Sequence, residues 1–200
     1  MKNDYDRISR QWAGARREHY PEQDRAPFER FVKDLPQNPH VLDLGCGTGI
    51  PIAGFLVESG ASVFGIERST HLLSMAKSNV PEGDFVPGDV ETFDVEETFD
   101  GVVIWDVIFH LERQKHRGIL ERIYSCLRPG GLLIISNGGS DHPPFTDTMF
   151  GEEFFYDAHP PDEFLAICAD IGFEIVIHTV LDEADGGRSK GRIGTILKRI

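Results

Sequence analysis

Three features of this sequence have residue types and spacing suited to chemistry: glycines at alternate positions, two carboxylates that follow them, and a histidine further along. The glycines lie in Val41-Leu42-Asp43-Leu44-Gly45-Cys46-Gly47-Thr48-Gly49. Glycine lets the backbone turn sharply and lets a ligand lie against bare peptide with no Cβ in the way. A helix pattern starts directly afterwards, so the amides of its first turn face the same spot. Such a loop after a strand suits a nucleoside-type ligand. The spacing narrows the choice. The dinucleotide pattern G-x-G-x-x-G needs glycine at position 50 counting from Gly45, and that residue is Ile50. Counting from Gly47 it needs glycine at position 52, which is Ile52. The pattern fails both ways.

Glu67 falls at the end of the next apolar strand, where a carboxylate can accept hydrogen bonds from both ribose hydroxyls. Gly88-Asp89-Val90 ends the strand after that. An acid there can receive the exocyclic amine of adenine while Val90 packs against the ring. Each acid would otherwise be a solvated strand end. His110 follows the fourth strand and can exchange a proton near neutral pH. Its alternative role is packing on the helix that follows.

The elements that must position these groups alternate along the chain. Residues 1–34 read as helical but polar, and the stretch Leu35-Pro36-Gln37-Asn38-Pro39 breaks the chain. Strand patterns at 40–44, 61–66, 84–87, 99–105 and 132–136 are separated by helix patterns at 50–59, 69–79 and 113–127. Pro51 suits a first helical turn and Ser69 a helix cap. This alternation of apolar strands with helices implies an α/β fold: a doubly wound, mostly parallel sheet with helices on both faces. A helix at 161–171 precedes two strands, 173–181 and 192–200, with no helix between them. They form a hairpin, so the sheet ends antiparallel. Residues 137–160, rich in glycine, proline and aromatics, read as a long loop, and loops of that length usually serve function.

These residues resemble the class I, Rossmann-like S-adenosylmethionine-dependent methyltransferases. VLDLGCGTG is similar to their first motif, Glu67 to the acid ending their second strand, and Gly88-Asp89 to the acid after their third. Phe99 to Asp106 is similar to the fourth-strand motif, and Leu127-Arg128-Pro129-Gly130-Gly131 to the turn before strand five. The resemblance covers about residues 40–136. It implies a seven-stranded sheet in one domain, with residues 1–34 as a helical lid, 40–136 as the cofactor-binding core and 137–160 as a substrate loop. It further implies S-adenosylmethionine as methyl donor and S-adenosylhomocysteine as product. The methionine portion would lie against the backbone near Gly45 and Trp105, with Asp43 reaching its ammonium through water or orienting the loop. The Trp105 side chain fits either the donor wall or the core. Gly47 and Gly49 complete the donor loop. Tyr5 and Trp12 either close over the donor or staple the first helix to the surface.

Transfer from a sulfonium is a direct displacement whose acceleration comes largely from alignment. A base is needed only if the acceptor must lose a proton, and His110 is the candidate. Tyr156 and His159, in the 137–160 segment, are candidate substrate contacts. The net charge of −13 repels polyphosphate and disfavours a nucleic-acid substrate, leaving a small molecule as the expected acceptor. Cys46, Cys126 and Cys168 are too widely spaced for a zinc or disulfide framework, and no metal is assigned. The densest apolar run, 102–111, is too short for a membrane span and contains Asp106 and His110. With no apolar N-terminal stretch, the cytosol is the expected compartment and a monomer or homodimer the expected assembly. The alternatives are a non-catalytic nucleoside-binding module and, disfavoured by Ile50 and Ile52, a nicotinamide-dependent oxidoreductase.

Overall fold

The computed structural model describes residues 4–18 and 22–200. Two helices come first, α1 (Tyr5–Glu18) and α2 (Glu22–Asp34). Strands and helices then alternate through β1 (His40–Leu44), α3 (Ile52–Glu58), β2 (Ser62–Glu67), α4 (Thr70–Asn79), β3 (Asp84–Pro87) and β4 (Phe99–Ile104). A short 3-10 turn (Ile108–His110) leads into α5 (Arg113–Cys126) and β5 (Leu127–Gly138). The remaining elements are β6 (Phe145–Met149), β7 (Glu152–Tyr156), α6 (Pro161–Ile171), β8 (Phe173–Asp182) and β9 (Arg192–Arg199).

Seven strands form one sheet in the order β3-β2-β1-β4-β5-β9-β8. The first five are parallel, and β9 runs antiparallel to both β5 and β8. This is the expected doubly wound sheet with its antiparallel C-terminal hairpin. From β1 the chain moves outward through β2 to β3, then returns to place β4 on the other side of β1. That reversal opens a crevice beyond the carboxyl ends of β1 and β4.

Both faces of the sheet are covered, which is why its strands read as unbroken apolar runs. On one face Leu42, Leu44, Val102, Ile104 and Leu133 pack with Ile119, Leu120 and Ile123 of α5 and Phe164 of α6. On the other, Val41, Val63, Val103 and Ile134 meet Phe28 and Phe31 of α2, Leu56 of α3 and Ala76 of α4. Each large side chain buried in this way contributes roughly 1.5–3 kcal/mol. Ser69 caps α4 as expected, its hydroxyl accepting the Leu72 amide at 3.1 Å.

The expectation of a loop over 137–160 needs correction. β5 continues to Gly138, and β6 pairs with β7 from Phe145↔Tyr156 to Met149↔Glu152. Phe150 and Gly151 make the turn with φ of +51° and +88°, the left-handed pair that matches the twist of a two-residue hairpin. Among the described residues, no helix is long and apolar enough to cross a membrane.

Candidate functional site

At the crevice, the turns after β1, β2, β3 and β4, with α1 above them, enclose a cavity of about 430 Å³. That lies within the range of roughly 300–1,000 Å³ usual for small-molecule and cofactor sites. The glycine turn forms one wall. Gly45 has φ +76°, and its amide donates to the Ile66 carbonyl at 2.8 Å, tying the loop to the end of β2. A Cβ there would come within 2.6 Å of a Val107 methyl. Gly47 has φ +58° and only the Trp12 indole nitrogen, at 4.0 Å, near its missing Cβ. Gly49 does not line the cavity. A Cβ at Gly49 would lie 3.1 Å from Val80 and 3.4 Å from Ala76, so its bareness lets the loop approach α4.

Six carboxylates line the cavity, among them the three acids Asp43, Glu67 and Asp89 that the sequence marks out. Asp43 is only 2% exposed, and its Oδ2 has no hydrogen-bond partner among the described residues. Burial, reinforced by the nearby Glu67, pushes its pKa up to about 7. Glu67 is also buried. Its Oε2 accepts the Gly47 amide at 2.9 Å and its Oε1 the Ser69 amide at 2.7 Å. Burial raises its pKa, and these amides pull it back. Asp89 accepts the Glu91 amide at 3.0 Å and stands 3.9 Å from the Arg68 guanidinium, with Val90 buried beside it. With these six acids set against Arg16, Arg68 and Lys115, the lining still favours a cationic ligand.

Trp105 belongs mainly to the core. Its ring is 4% exposed and packs on Phe28 at 4.8 Å, while its indole N–H donates to Asp24 at 3.1 Å. The residue still counts among those lining the cavity. His110 also lines the cavity, held on both ring nitrogens. Nε2 meets the Tyr5 hydroxyl at 2.9 Å and Nδ1 the Phe155 carbonyl at 3.1 Å. Burial depresses its pKa to about 4.

The roof is α1, which brings Tyr5, Trp12 and Arg16 to the cavity. Asp6 fastens it by accepting the Ser69 hydroxyl and, at 3.1 Å, the His71 amide at the start of α4. Arg16 reaches across to Asp106 at 3.3 Å. The second helix, α2, packs on the sheet, with Asp24, Phe28 and Phe31 buried.

Arg192 was not singled out by the sequence, yet it organises one side of the site. Its guanidinium contacts Asp106 at 2.7 Å, Asp24 at 2.8 Å and Asp182 at 2.6 Å. These partners lie on α2, after β4 and at the end of β8, so no local spacing could have announced them. Asp106 itself turns with φ +55° and donates its amide to the Ser136 hydroxyl at 2.7 Å.

Tyr156 and His159 lie outside this cavity. Tyr156 stacks on Phe145 at 5.1 Å and lines a second, more open hollow of about 910 Å³ by the β8–β9 connection. The His159 Nε2 binds the Arg113 carbonyl at 2.9 Å. Neighbouring Asp157 is buried and takes the Arg113 amide at 2.8 Å, anchoring the end of the β6–β7 hairpin to the start of α5. Among the described residues, no group of three His, Cys, Asp or Glu side chains is arranged to hold a metal.

Residues 41–131 match a family described as methyltransferase domain. The chain is 30% identical over 135 residues to an uncharacterized methyltransferase of Bacillus cytotoxicus, covering 66% of this chain and 58% of that one. It is 30% identical over 133 residues to a ubiquinone biosynthesis O-methyltransferase of a Bradyrhizobium species, covering 64% and 51%. It thus spans between half and three fifths of the length of these curated relatives. Among solved structures, a 1,6-didemethyltoxoflavin-N1-methyltransferase of Burkholderia thailandensis, holding its substrate and S-adenosylhomocysteine, superposes with a TM-score of 0.71 at 18% identity. That match covers 96% of this chain and 87% of the other. In sequence the chain is thus similar to methyltransferases over residues 41–131, and in strand order and glycine turn it has the fold of the solved S-adenosylmethionine-dependent methyltransferases.

Proposed function

We propose that this protein transfers a methyl group from S-adenosylmethionine to a small-molecule acceptor by direct displacement. The observation that carries the reading is that Asp43, the Gly45–Gly47 turn, Glu67 and Asp89 all line one cavity. The residues present fit the donor. The unpartnered Oδ2 of Asp43 is a buried polar atom suited to an ammonium group. The peptide at Gly45 and Gly47 leaves room for the methionine chain, and Glu67 keeps lone pairs for ribose hydroxyls beyond the two amides it already accepts. Asp89 suits the adenine amine, and Val90 offers the ring an apolar face.

The donor supplies an already activated methyl group on a cationic sulfur. The chain's own contribution is then binding and alignment. The carboxylates attract the cation, α1 roofs the cavity, and His110 stands at the wall as a neutral proton acceptor. The acidic surface and the modest cavity support a compact acceptor over a polyanion.

Calorimetric titration with S-adenosylmethionine, S-adenosylhomocysteine and NAD tests the reading. Binding of the first two with no NAD affinity is expected, followed by turnover of labelled methyl across a metabolite library. Affinity for NAD alone would overturn it. Donor binding without turnover on any acceptor would leave a nucleoside-binding module instead.

A further inference from the structure

We propose that Tyr5 and His110 form a two-step proton relay at the cavity wall, and that the acceptor they serve carries a hydroxyl group. The inference rests on the methyl-transfer reading above and adds to it the chemistry of the acceptor.

The direction of the relay follows from hydrogen-bond arithmetic. The Phe155 carbonyl can only accept, so the His110 nitrogen facing it at 3.1 Å, Nδ1, carries the proton. A neutral imidazole then presents a lone pair at Nε2, and the Tyr5 hydroxyl at 2.9 Å must donate to it. The Tyr5 oxygen keeps its own lone pairs, and both residues line the donor cavity. The pair is also held firmly. Tyr5 meets Trp12 edge-on at 5.4 Å and Phe154 at 5.0 Å, and the His110 ring lies 4.8 Å from Tyr156. Asp6, adjacent in sequence, anchors this end of α1 to α4.

Both partners are neutral at physiological pH. Burial raises the Tyr5 hydroxyl well above its usual range, with Tyr156, Asp106 and Glu67 reinforcing and Arg16 opposing. Burial depresses His110, with the Phe155 carbonyl and Asp106 opposing and Arg68 reinforcing. A weak neutral base selects its acceptor. A hydroxyl oxygen that gains a methyl group becomes an oxonium, far more acidic than an imidazolium, so its proton moves readily along the relay. An amine attacks through its own lone pair and need lose no proton during the displacement, so the relay adds nothing. A thiol is a weak hydrogen-bond donor and holds poorly to the Tyr5 oxygen.

In the step itself, the acceptor oxygen forms a bond to the methyl carbon as the carbon–sulfur bond breaks. The bonding pair stays on sulfur as a neutral thioether. The acceptor proton passes to the Tyr5 oxygen, the Tyr5 proton passes to Nε2, and the positive charge of the donor ends on the imidazolium. At neutral pH this acidic imidazolium returns the proton to water once product leaves.

The test has two arms. In the first, nitrogen NMR on the ligand-free protein, with His110→Gln to assign the signals, reads the tautomer. Nδ1 protonated and Nε2 bare near pH 7 are expected, with the Nε2 signal shifted in Tyr5→Phe; a protonated Nε2 overturns the relay. In the second, methyl-labelled S-adenosylmethionine is offered with catechol, aniline and thiophenol series. Label is expected in the hydroxyl series, and Tyr5→Phe and His110→Gln should each lower kcat by about 100-fold or more. Donor affinity should change by less than about threefold, under 1 kcal/mol. The double variant should lose no more than the worse single one, as residues acting as a unit do. Label confined to amines or thiols, label in none of the series, wild-type kcat in Tyr5→Phe, or losses that multiply would overturn the proposal. A protein that binds no S-adenosylmethionine fails the underlying reading; one that binds it and methylates only amines fails the relay alone.

Discussion

The Asp6 carboxylate accepts the Ser69 hydroxyl, joining the roof helix α1 to the residue that caps α4. The same carboxylate takes the His71 amide at 3.1 Å, one of the orphan donors of the first turn of α4. Asp6→Ala should therefore loosen α1 without unfolding the sheet. Faster amide exchange in α1 and donor affinity weaker by a few-fold, about 1 kcal/mol, are expected. The Ser69 hydroxyl, ahead of its other contacts, holds the Asp6 carboxyl below its ordinary pKa. Its stabilising effect is thus complete above the ordinary aspartate range and disappears as pH falls through the depressed value. The α1 protection of the wild type should weaken only in acid, and Asp6→Asn should flatten that dependence.

Donor affinity should rise with pH up to about 7 and then level. Asp43, raised to about 7 by burial, must ionise to meet an ammonium. Below that value, binding expels a proton, and affinity should fall by up to about tenfold per pH unit. The ligand-free fold has the opposite slope. The folded state keeps a proton on Asp43 that the unfolded chain has already released, so stability declines as pH rises from the ordinary carboxylate range towards 7. Asp43→Asn should flatten both curves and weaken the donor. Calorimetry at pH 6, 7 and 8, with urea melts alongside, checks the pair of trends; an affinity slope that survives Asp43→Asn would pass to Glu67, the other raised acid lining the cavity, and a surviving stability slope to Glu67 and Asp24, which burial also raises.

Glu67→Ala should weaken donor binding by at least about tenfold, as expected from losing one or two charge-assisted hydrogen bonds. The same change releases the Gly47 and Ser69 amides that Glu67 holds at 2.9 Å and 2.7 Å, so the glycine turn should become more mobile. Unchanged affinity in calorimetry would remove Glu67 from the donor site.

The glycines should not respond alike to alanine. At Gly45 a side chain adds a 2.6 Å contact with Val107 to a left-handed backbone, and donor binding should be lost. At Gly47 the space is open, so the fold itself meets only the backbone cost of roughly 1–2 kcal/mol. Equal losses from the two substitutions, measured by melting and by titration, would contradict this division.

Arg192→Met should be among the most damaging single changes. It leaves the buried Asp24 without its cation and the half-buried Asp106 with Arg16 alone, a loss of about 3–5 kcal/mol by analogy with other broken buried pairs. Adding Asp24→Asn should recover part of that loss in a urea melt. If Arg192→Met melts like the wild type, the guanidinium is dispensable.

What the sequence disclosed and what it withheld differ in range. The alternation of strand and helix, the terminal hairpin, the glycine turn and the acids at Glu67 and Asp89 are written in local patterns of strand, turn and helix, and the fold follows them. The β6–β7 hairpin was legible in part: Phe145–Met149 alternates half-buried with exposed residues, but its turn is Phe150-Gly151 instead of the usual Asn-Gly or Asp-Gly signal. Tyr156 and His159 looked like substrate contacts because polar aromatic groups in a long segment attract that reading. The structure places both outside the donor cavity, against Phe145 and the Arg113 carbonyl, and neither neighbour was foreseeable from spacing. The Arg192 cluster is the extreme case, because its link to Asp24 spans 168 positions.

The placement of β9 between β5 and β8 has a consequence for assembly. β8 comes earlier in the chain yet pairs in the sheet with β9 alone, so its place at the edge depends on β9 being docked. That docking covers the open edge of β5 and, in the same movement, carries Arg192 to the acids of α2 and the β4 turn. Completion of the sheet and neutralisation of the site's flank are therefore one event, and a chain caught before it would show sticky backbone and uncompensated negative charge at once.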